Sequence, residues 1–179
     1  MFKLILAFGI VAGLVVAVPM FTMIVMSGPG SAGHSMIAGY LTMLVGLSLV
    51  FVGVKRYRDH VQGGVIRFAT ALGVGLGISA VASVLYVVGW ELTLALTDYD
   101  FVDSYAAAAI EAKRASGASP AEIEKVVAEM ADFKTQYMNP LIRASYSFVE
   151  IFPVGLLVSL VSAALLRNSR FLPARPSPG

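Results

Sequence analysis

The chain has 179 residues, of which 58% are hydrophobic and 13% are charged. This balance excludes an ordinary soluble domain, which has about a quarter of its residues charged and cannot bury so much apolar surface in one core. The formal net charge is +2, but the basic residues lie beside apolar segments, which argues against nucleic acid as a partner. Because there is no cysteine, disulfides and thiolate chemistry are excluded.

No residue from Leu4 to Val54 is charged, and we interpret this stretch as a helical hairpin. Its interruption at Ser27–Ser35 predicts a turn, because Gly28-Pro29-Gly30 cannot continue a helix. The two arms, residues 4–26 and 36–54, each have the roughly 20 residues that cross about 30 Å of hydrocarbon. A signal peptide is the alternative for the first arm, but this apolar run exceeds the roughly 7 to 15 residues of such leaders.

Two further spans are predicted after a charged segment. The third, residues 68–90, ends at Trp90, a residue type that favours the headgroup level of a membrane. The fourth covers residues 144–166 and contains one acid, Glu150. Residues 170–179, rich in proline and small residues, are predicted to form a disordered tail.

A polar insert at residues 98–139 separates the last two spans and predicts two helices. The first, residues 101–116, contains four consecutive alanines and is followed by Gly117, a typical C-cap. The second begins at Ser119-Pro120-Ala121-Glu122, which joins an N-cap serine, a first-turn proline and a capping-box glutamate. Asn139-Pro140 ends it.

The second helix of the insert carries an apolar stripe at offsets of three and four residues. We expect this stripe to pack on the first helix or on the membrane surface, and the alternative is a docking face for a partner. Its members are Ile123, Val126, Val127, Met130, Phe133 and Tyr137.

Basic residues give the chain a predicted orientation, because they are retained on the cytoplasmic side of a membrane. Eight lie on one side of the predicted bilayer, and five lie on the other side together with nine acids. Both termini are therefore expected in the cytoplasm and the helical insert outside it. The topology-determining residues are Lys55, Arg56, Arg58, Arg67, Arg167 and Arg170.

Glu150 is the strongest candidate for a functional site, since an ionisable residue within a span is costly and usually faces protein or water. It lies seven residues beyond Arg143, roughly 10 Å along a helix. Two hypotheses stay open: Glu150 binds a cation or relays protons, or it bonds to a Tyr, Ser or Arg of a neighbouring helix. Glu91, Tyr146 and Ser147 are its expected neighbours, and Glu91 is the second candidate ionisable site.

Small residues recur within the predicted spans at a spacing typical of close helix packing. The glycines at 73, 75 and 77 do not form a phosphate-binding loop, because they lie inside a span and lack the strand, turn and helix start of that motif. We expect packing within the chain, with homodimerisation as the alternative. The predicted packing positions are Gly9, Gly13, Gly73, Gly77, Gly155 and Ser159.

Catalytic and metal-binding patterns are missing from the sequence. His34 and His60, the two histidines, fall on opposite sides of the predicted membrane, so no joint metal site is expected. No Ser/His/Asp set or zinc motif can be assembled, and no cofactor is expected. The sequence thus favours a protein that is not an enzyme.

Several short stretches resemble the bacterial domain-of-unknown-function family 4199. They are Gly53–Asp59 and Gly63–Phe68 between spans two and three, Tyr86–Glu91, Tyr137–Pro140, and Glu150–Ser162 in span four. The resemblance covers roughly Lys3 to Arg167 and implies a small four-span bacterial membrane protein with a helical insert before its last span. It implies no activity, substrate or catalytic residue.

The leading hypothesis is therefore an all-α, polytopic protein of the bacterial inner membrane that acts through packing and partner contacts. Its expected surroundings are the lipid bilayer and either a second copy of the chain or another membrane protein. The extracytoplasmic two-helix insert is the expected interaction element. The alternative is a small ion- or proton-coupled transporter that uses Glu150.

Overall fold

The computed structural model describes residues 1–27, 36–97 and 100–174. Within these residues all regular secondary structure is helical. Four helices are long, namely α1 (Phe2–Ser27), α2 (Met36–Val61), α3 (Phe68–Leu96) and α6 (Pro140–Leu166), and two shorter ones, α4 (Asp100–Ala115) and α5 (Pro120–Tyr137), lie between α3 and α6. The predicted all-α chain with four spans and a two-helix insert is confirmed.

Each of the four long helices is long and apolar enough to cross a membrane. The candidate spans are Phe2–Thr22, Gly39–Val61, Phe68–Leu96 and Pro140–Leu166. Large apolar side chains point away from the bundle on all four helices, and Val45 and Leu157 are 65% and 60% exposed. Such a surface is unfavourable in water and suits contact with hydrocarbon.

Three of the helices extend beyond the predicted spans. The helix α2 continues to Val61 instead of residue 54, α3 continues to Leu96 instead of residue 90, and α6 begins at Pro140 instead of residue 144. A boundary drawn at the first charged residue falls short, because Lys, Arg and Glu are good helix formers and the backbone ladder continues beyond the hydrocarbon. Residues 53–59, which the family resemblance placed in a loop, are thus the last part of α2.

The four long helices pack around a shared core. The helix α3 packs against α1 and α6, while α2 also packs against α1 and α6 and touches α3 across the core. Leu47, Val50, Ile78 and Ile151 are fully buried where these helices meet. Every long helix therefore has two close neighbours.

Small residues let the helix backbones approach one another. A methyl group built on Gly9 would lie 2.5 Å from Cβ of Val81, and one built on Gly155 would lie 2.7 Å from Cβ of Ser79. These positions cannot take a larger residue unless the helices move apart. Three other predicted packing positions also lie in tight helix contacts, namely Gly13, Gly77 and Ser159.

Gly73 differs from the other predicted packing positions. A methyl group built there meets no atom within 4 Å, so in this structure Gly73 contacts no other helix closely. The reason is its place along α3. Gly77 lies against Ile5 of α1, and Gly73, one turn earlier, reaches the level at which α1 has only just begun.

The two short helices form a hairpin. Gly117 has a φ of +76°, the left-handed conformation that ends α4. The predicted capping box at the start of α5 is confirmed, because the hydroxyl of Ser119 accepts from the Glu122 N–H and the Ser119 N–H donates to the Glu122 carboxylate. The apolar stripe of α5 turns partly toward α4, where the rings of Phe133 and Tyr105 are 5.8 Å apart.

The segment after α6 folds back onto the bundle. Arg58, fully buried on α2, donates from Nη1 to the carbonyl of Phe171 at 2.9 Å and from Nη2 to the carbonyl of Leu172. The Phe171 ring packs edge-on against Phe51. Phe171 and Leu172, within the predicted tail, therefore have defined partners, because a buried guanidinium needs acceptors and this segment supplies them. Residues 175–179 and residues 28–35 of the predicted turn, with His34, lie outside the described residues.

Candidate functional site

The charged side chains of the bundle concentrate at its two ends. We call the end where α3 finishes and α6 begins the hairpin end, because α4 and α5 lie there. We call the end where α2 finishes and α3 begins the arginine end. Arg67, just before α3, lies 24 positions from Glu91, and Arg167, just after α6, lies 24 positions from Arg143. The spacing is about 36 Å of helix, slightly more than the roughly 30 Å of a hydrocarbon core.

Arg143 joins three helices at the hairpin end. Its side chain is buried, its Nε donates to Oε1 of Glu91 at 2.7 Å, and its Nη2 donates to the second carboxylate oxygen. Its Nη1 donates to the carbonyl of Tyr137 at 3.0 Å. The fork geometry of the guanidinium suits both oxygens of one carboxylate. This single side chain therefore ties α6 to α3 and to the end of α5.

Trp90 and Tyr137 make a second connection between the bundle and α5. The indole Nε1 of Trp90 donates to the hydroxyl of Tyr137 at 2.6 Å, and the Trp90 ring packs edge-on against Phe101 of α4 at 4.8 Å. Burial raises the pKa of Tyr137 to about 12, and the hydrogen bond from Trp90 opposes part of this rise. Around these rings lies a separate buried cluster that includes Ile24, Leu94 and Val102.

Glu150 lies on the outside of the bundle, about 10 Å along α6 from Arg143 toward the arginine end. The buried Tyr86 of α3 donates from its hydroxyl to Oε2 of Glu150 at 3.1 Å. Glu91 is bound by Arg143 instead, so the two acids have different partners. The partner of Glu150 is thus a tyrosine of a neighbouring helix, as one of the two sequence hypotheses expected.

The neighbours predicted for Glu150 on its own helix are engaged elsewhere. The hydroxyl of Tyr146 contacts the side-chain oxygen of Gln136 at 3.4 Å, and the hydroxyl of Ser147 donates to the carbonyl of Arg143. Sequence reasoning missed Tyr86. The register of α3 against α6 would have indicated Tyr86. The two helices are antiparallel, so a Glu91–Arg143 pair places residues 84–86 of α3 at the level of Glu150 on α6.

A shallow groove of about 440 Å³ lies between α3 and α6 on the outside of the bundle. Its lining is almost entirely apolar and includes Val84, Val88, Phe148 and Val149, with Ser145 among the lining residues. Substrate sites combine apolar walls with several convergent polar groups. This groove has apolar walls but no set of polar groups that converge on it. Its surface suits contact with hydrocarbon.

The structure brings the predicted topology-determining residues together at the arginine end. Lys55 and Arg58 both bind Asp59, with 2.7 Å between Nε of Arg58 and Oδ1 of Asp59. Arg56 and Arg67 are exposed there. Sequence reasoning missed the buried position of Arg58, since nothing in the spacing of these charges distinguishes it from Arg56. The remaining two, Arg167 and Arg170, are exposed just beyond α6.

Metal ligands do not cluster in the part of the chain that the structure describes. No group of three or more His, Cys, Asp or Glu residues lies close enough to hold an ion there. Glu91 is bound by Arg143, and Glu150 accepts a hydrogen bond from Tyr86. The site is thus a set of interhelical polar contacts.

Fold and contacts together define a polytopic α-helical membrane protein whose four-helix bundle carries a helical hairpin at one end. The family model described as a protein of unknown function (DUF4199) matches residues 7–168, and the chain belongs to this family. The resemblance found in the sequence is confirmed. Neither a curated protein nor a solved structure matches the chain.

Proposed function

We propose that this protein acts by contact rather than by catalysis, as an inner-membrane anchor that presents the α4–α5 hairpin to a partner protein. The observation that carries the proposal is the set of polar contacts between the base of the hairpin and the four-helix bundle. Trp90 holds Tyr137, and Arg143 holds both Glu91 and the Tyr137 carbonyl. A segment bound at its base by buried polar contacts keeps a defined direction, which a recognition element needs.

The free surface of the hairpin indicates the chemistry of the partner. On α5, Glu124 and Asp132 are exposed and form no ion pair among the described residues, and they lie on one face with Ala128. The basic residues of the hairpin are each paired with an acid; they are Lys113, Arg114, Lys125 and Lys134. The uncompensated charge on this face is negative, so a partner with a basic surface fits it.

Site-specific crosslinking in native membranes tests the proposal. A photoreactive residue at Ala128 should give a discrete crosslinked product, while the same residue at Val88, on the apolar groove, should give none with this partner. The double variant Glu124→Lys and Asp132→Lys should remove the product without lowering the folded yield. No product at Ala128, or a product that survives charge reversal, would contradict the proposal.

The crosslinked product also distinguishes the two kinds of partner that we propose. A product that contains only peptides of this chain indicates a homo-oligomer, and one with foreign peptides indicates another membrane or extracytoplasmic protein. The proposed location is the bacterial inner membrane with both termini in the cytoplasm. The charge imbalance between the two ends of the bundle supports this orientation.

A second candidate function, ion or proton transport, is supported by one observation. Glu150 lies about 10 Å along α6 from Arg143, toward the middle of the candidate span. The hydroxyl of Tyr86 donates to one of its two carboxylate oxygens. Ionisable residues at such depth often lie on ion pathways. The pair Glu150→Gln and Glu150→Leu, reconstituted in liposomes, tests it. If wild type carries a flux and Gln abolishes it with folding preserved, transport gains support; if wild type carries none, it fails.

A further inference from the structure

Five basic side chains at the arginine end are exposed and have no acidic partner among the described residues. The acid at this end, Asp59, is taken by Lys55 and Arg58. The five cations that remain are Lys3, Arg56, Arg67, Arg167 and Arg170.

The hairpin end is built differently. There the same residue types are neutralised within the chain, since Lys134 binds Asp103 and Arg143 binds Glu91. The two ends therefore differ in the number of basic residues and also in whether these residues are paired with acids of the chain. Uncompensated guanidinium groups favour an external anion.

Two of the unpaired cations lie directly at the ends of candidate spans. Arg67 immediately precedes the first residue of α3, and Arg167 immediately follows the last residue of α6. Exposed apolar side chains accompany them: Val65 is 63% exposed, and Phe68 and Leu172 are also exposed. A surface that mixes cations with exposed apolar groups matches a bilayer interface and does not suit a soluble polyanion.

We propose that the arginine end is a binding surface for anionic phospholipids, whose headgroup phosphates are held by the five unpaired cations. The buried Arg58 supports this surface from within. By holding the Phe171 and Leu172 carbonyls, it keeps the segment that carries Arg170 against the bundle. Guanidinium groups suit phosphate because two N–H groups can bind two oxygens at once.

Lipid titration of the purified full-length chain tests the proposal. Phosphatidylglycerol should bind and raise the melting temperature, added salt should weaken this effect, and phosphatidylcholine should give a much smaller shift. The variant Arg67→Gln with Arg167→Gln should lose roughly fivefold in affinity per arginine, since an anionic surface attracts each basic residue by about 1 kcal/mol. The matched control, Lys125→Gln with Lys134→Gln, changes two paired cations and should bind phosphatidylglycerol as wild type does.

Two results would overturn the inference, and both can be obtained with the wild-type protein alone. Equal binding of phosphatidylglycerol and phosphatidylcholine would show that charge does not contribute. Binding of a short oligonucleotide as tight as that of phosphatidylglycerol would show a general polyanion surface. A folded double variant with unchanged affinity would likewise contradict the role of Arg67 and Arg167.

Discussion

Arg143 is a buried charged side chain at the hairpin end, and it depends on its hydrogen-bond partners. Its guanidinium is buried, and it binds Glu91 on α3 and the Tyr137 carbonyl at the end of α5. A charge in such a place is tolerated only while its partners stay in position. The Glu91 carboxylate is therefore more important to the fold than its location at a helix end suggests.

Replacement of Glu91 by Ala tests this interpretation. The change should lower the free energy of unfolding by roughly 2 to 3 kcal/mol. This is less than the roughly 3 to 5 kcal/mol typical of a broken buried pair, because the Glu91 side chain is partly exposed. The matched control is Glu129→Ala, which removes an exposed pair with Lys125 and should cost at most about 0.5 kcal/mol. Thermal unfolding in detergent measures both, and equal costs would show that the Arg143 contact is not structural.

The capping box of α5 makes a prediction about pH. The backbone N–H of Ser119, helped by the Ser119 hydroxyl, holds the pKa of Glu122 below its usual value of 4.5. Because the folded pKa is the lower one, this contribution to stability is present above 4.5 and is lost as the pH falls through the folded pKa. As the pH falls through the folded pKa of Glu122, amide exchange at the start of α5 should therefore become faster relative to its intrinsic rate.

The variant Glu122→Gln is the control for the pH experiment. Its side chain does not titrate, so exchange at the start of α5 should lose this pH step after correction for the intrinsic rate. A step of the same size in the variant would assign it to a different group.

Some residue roles could be predicted from the sequence and others could not. Ser119 and Glu122 act on their own helix, so a local motif was sufficient to identify them. The contacts from Tyr86 to Glu150 and from Arg58 to Phe171 join residues far apart in the chain. Such contacts depend on how helices pair and in which register, and composition and spacing within one helix do not contain that information.

At the scale of the elements, the contact between α3 and α6 has a regular register. Along α3 and α6, Gly75 meets Ser159, Ser79 meets Gly155 and Glu91 meets Arg143; in each pair the two residue numbers add to 234. A constant sum is the signature of two antiparallel helices in steady contact. Small residues at two of these levels bring the backbones close, and the ion pair closes the contact at its hairpin end.

A pair of glycine variants tests the close approach of α3 and α6. In Gly155→Ala the new methyl group would lie 2.7 Å from Cβ of Ser79, so the helices must separate at a cost of about 1 to 3 kcal/mol. In Gly73→Ala the new methyl group has open space, and stability should stay the same or rise by about 0.5 to 1 kcal/mol, since Ala favours helix more than Gly. Melting temperatures of both proteins decide the matter. Equal effects would contradict the packing assigned to Gly155.

The sequence predicted which helices exist better than where the spans end. Caps and breakers placed α5 correctly, because Ser119 and the Asn139-Pro140 pair are local signals. The helices α2 and α3 continue past the predicted ends of their spans, since charge marks the edge of hydrocarbon while a helix ends where its backbone bonds end. The small-residue spacing identified close contacts, but Gly73 shows that it does not say which neighbour is present.

At the scale of the whole molecule, the two ends of the bundle differ in how their basic residues are paired. Among the residues that the structure describes, the hairpin end pairs its basic side chains with acids of the chain, and the arginine end has five basic side chains without an acidic partner. This difference agrees with a bundle that crosses a bilayer in one defined direction. The proposed partner at the hairpin and the proposed lipids at the arginine end both depend on that crossing.

Labelling of single cysteines tests the crossing most directly, because the chain has no cysteine of its own. The variants Val61→Cys, Ala118→Cys and Ser169→Cys place a thiol at the end of α2, in the hairpin turn and after α6. With a membrane-impermeant maleimide, Ala118→Cys should react on intact spheroplasts, whereas Val61→Cys and Ser169→Cys should react only after lysis. Labelling of all three before lysis, or of Val61→Cys together with Ala118→Cys, would contradict a four-span membrane protein of this orientation.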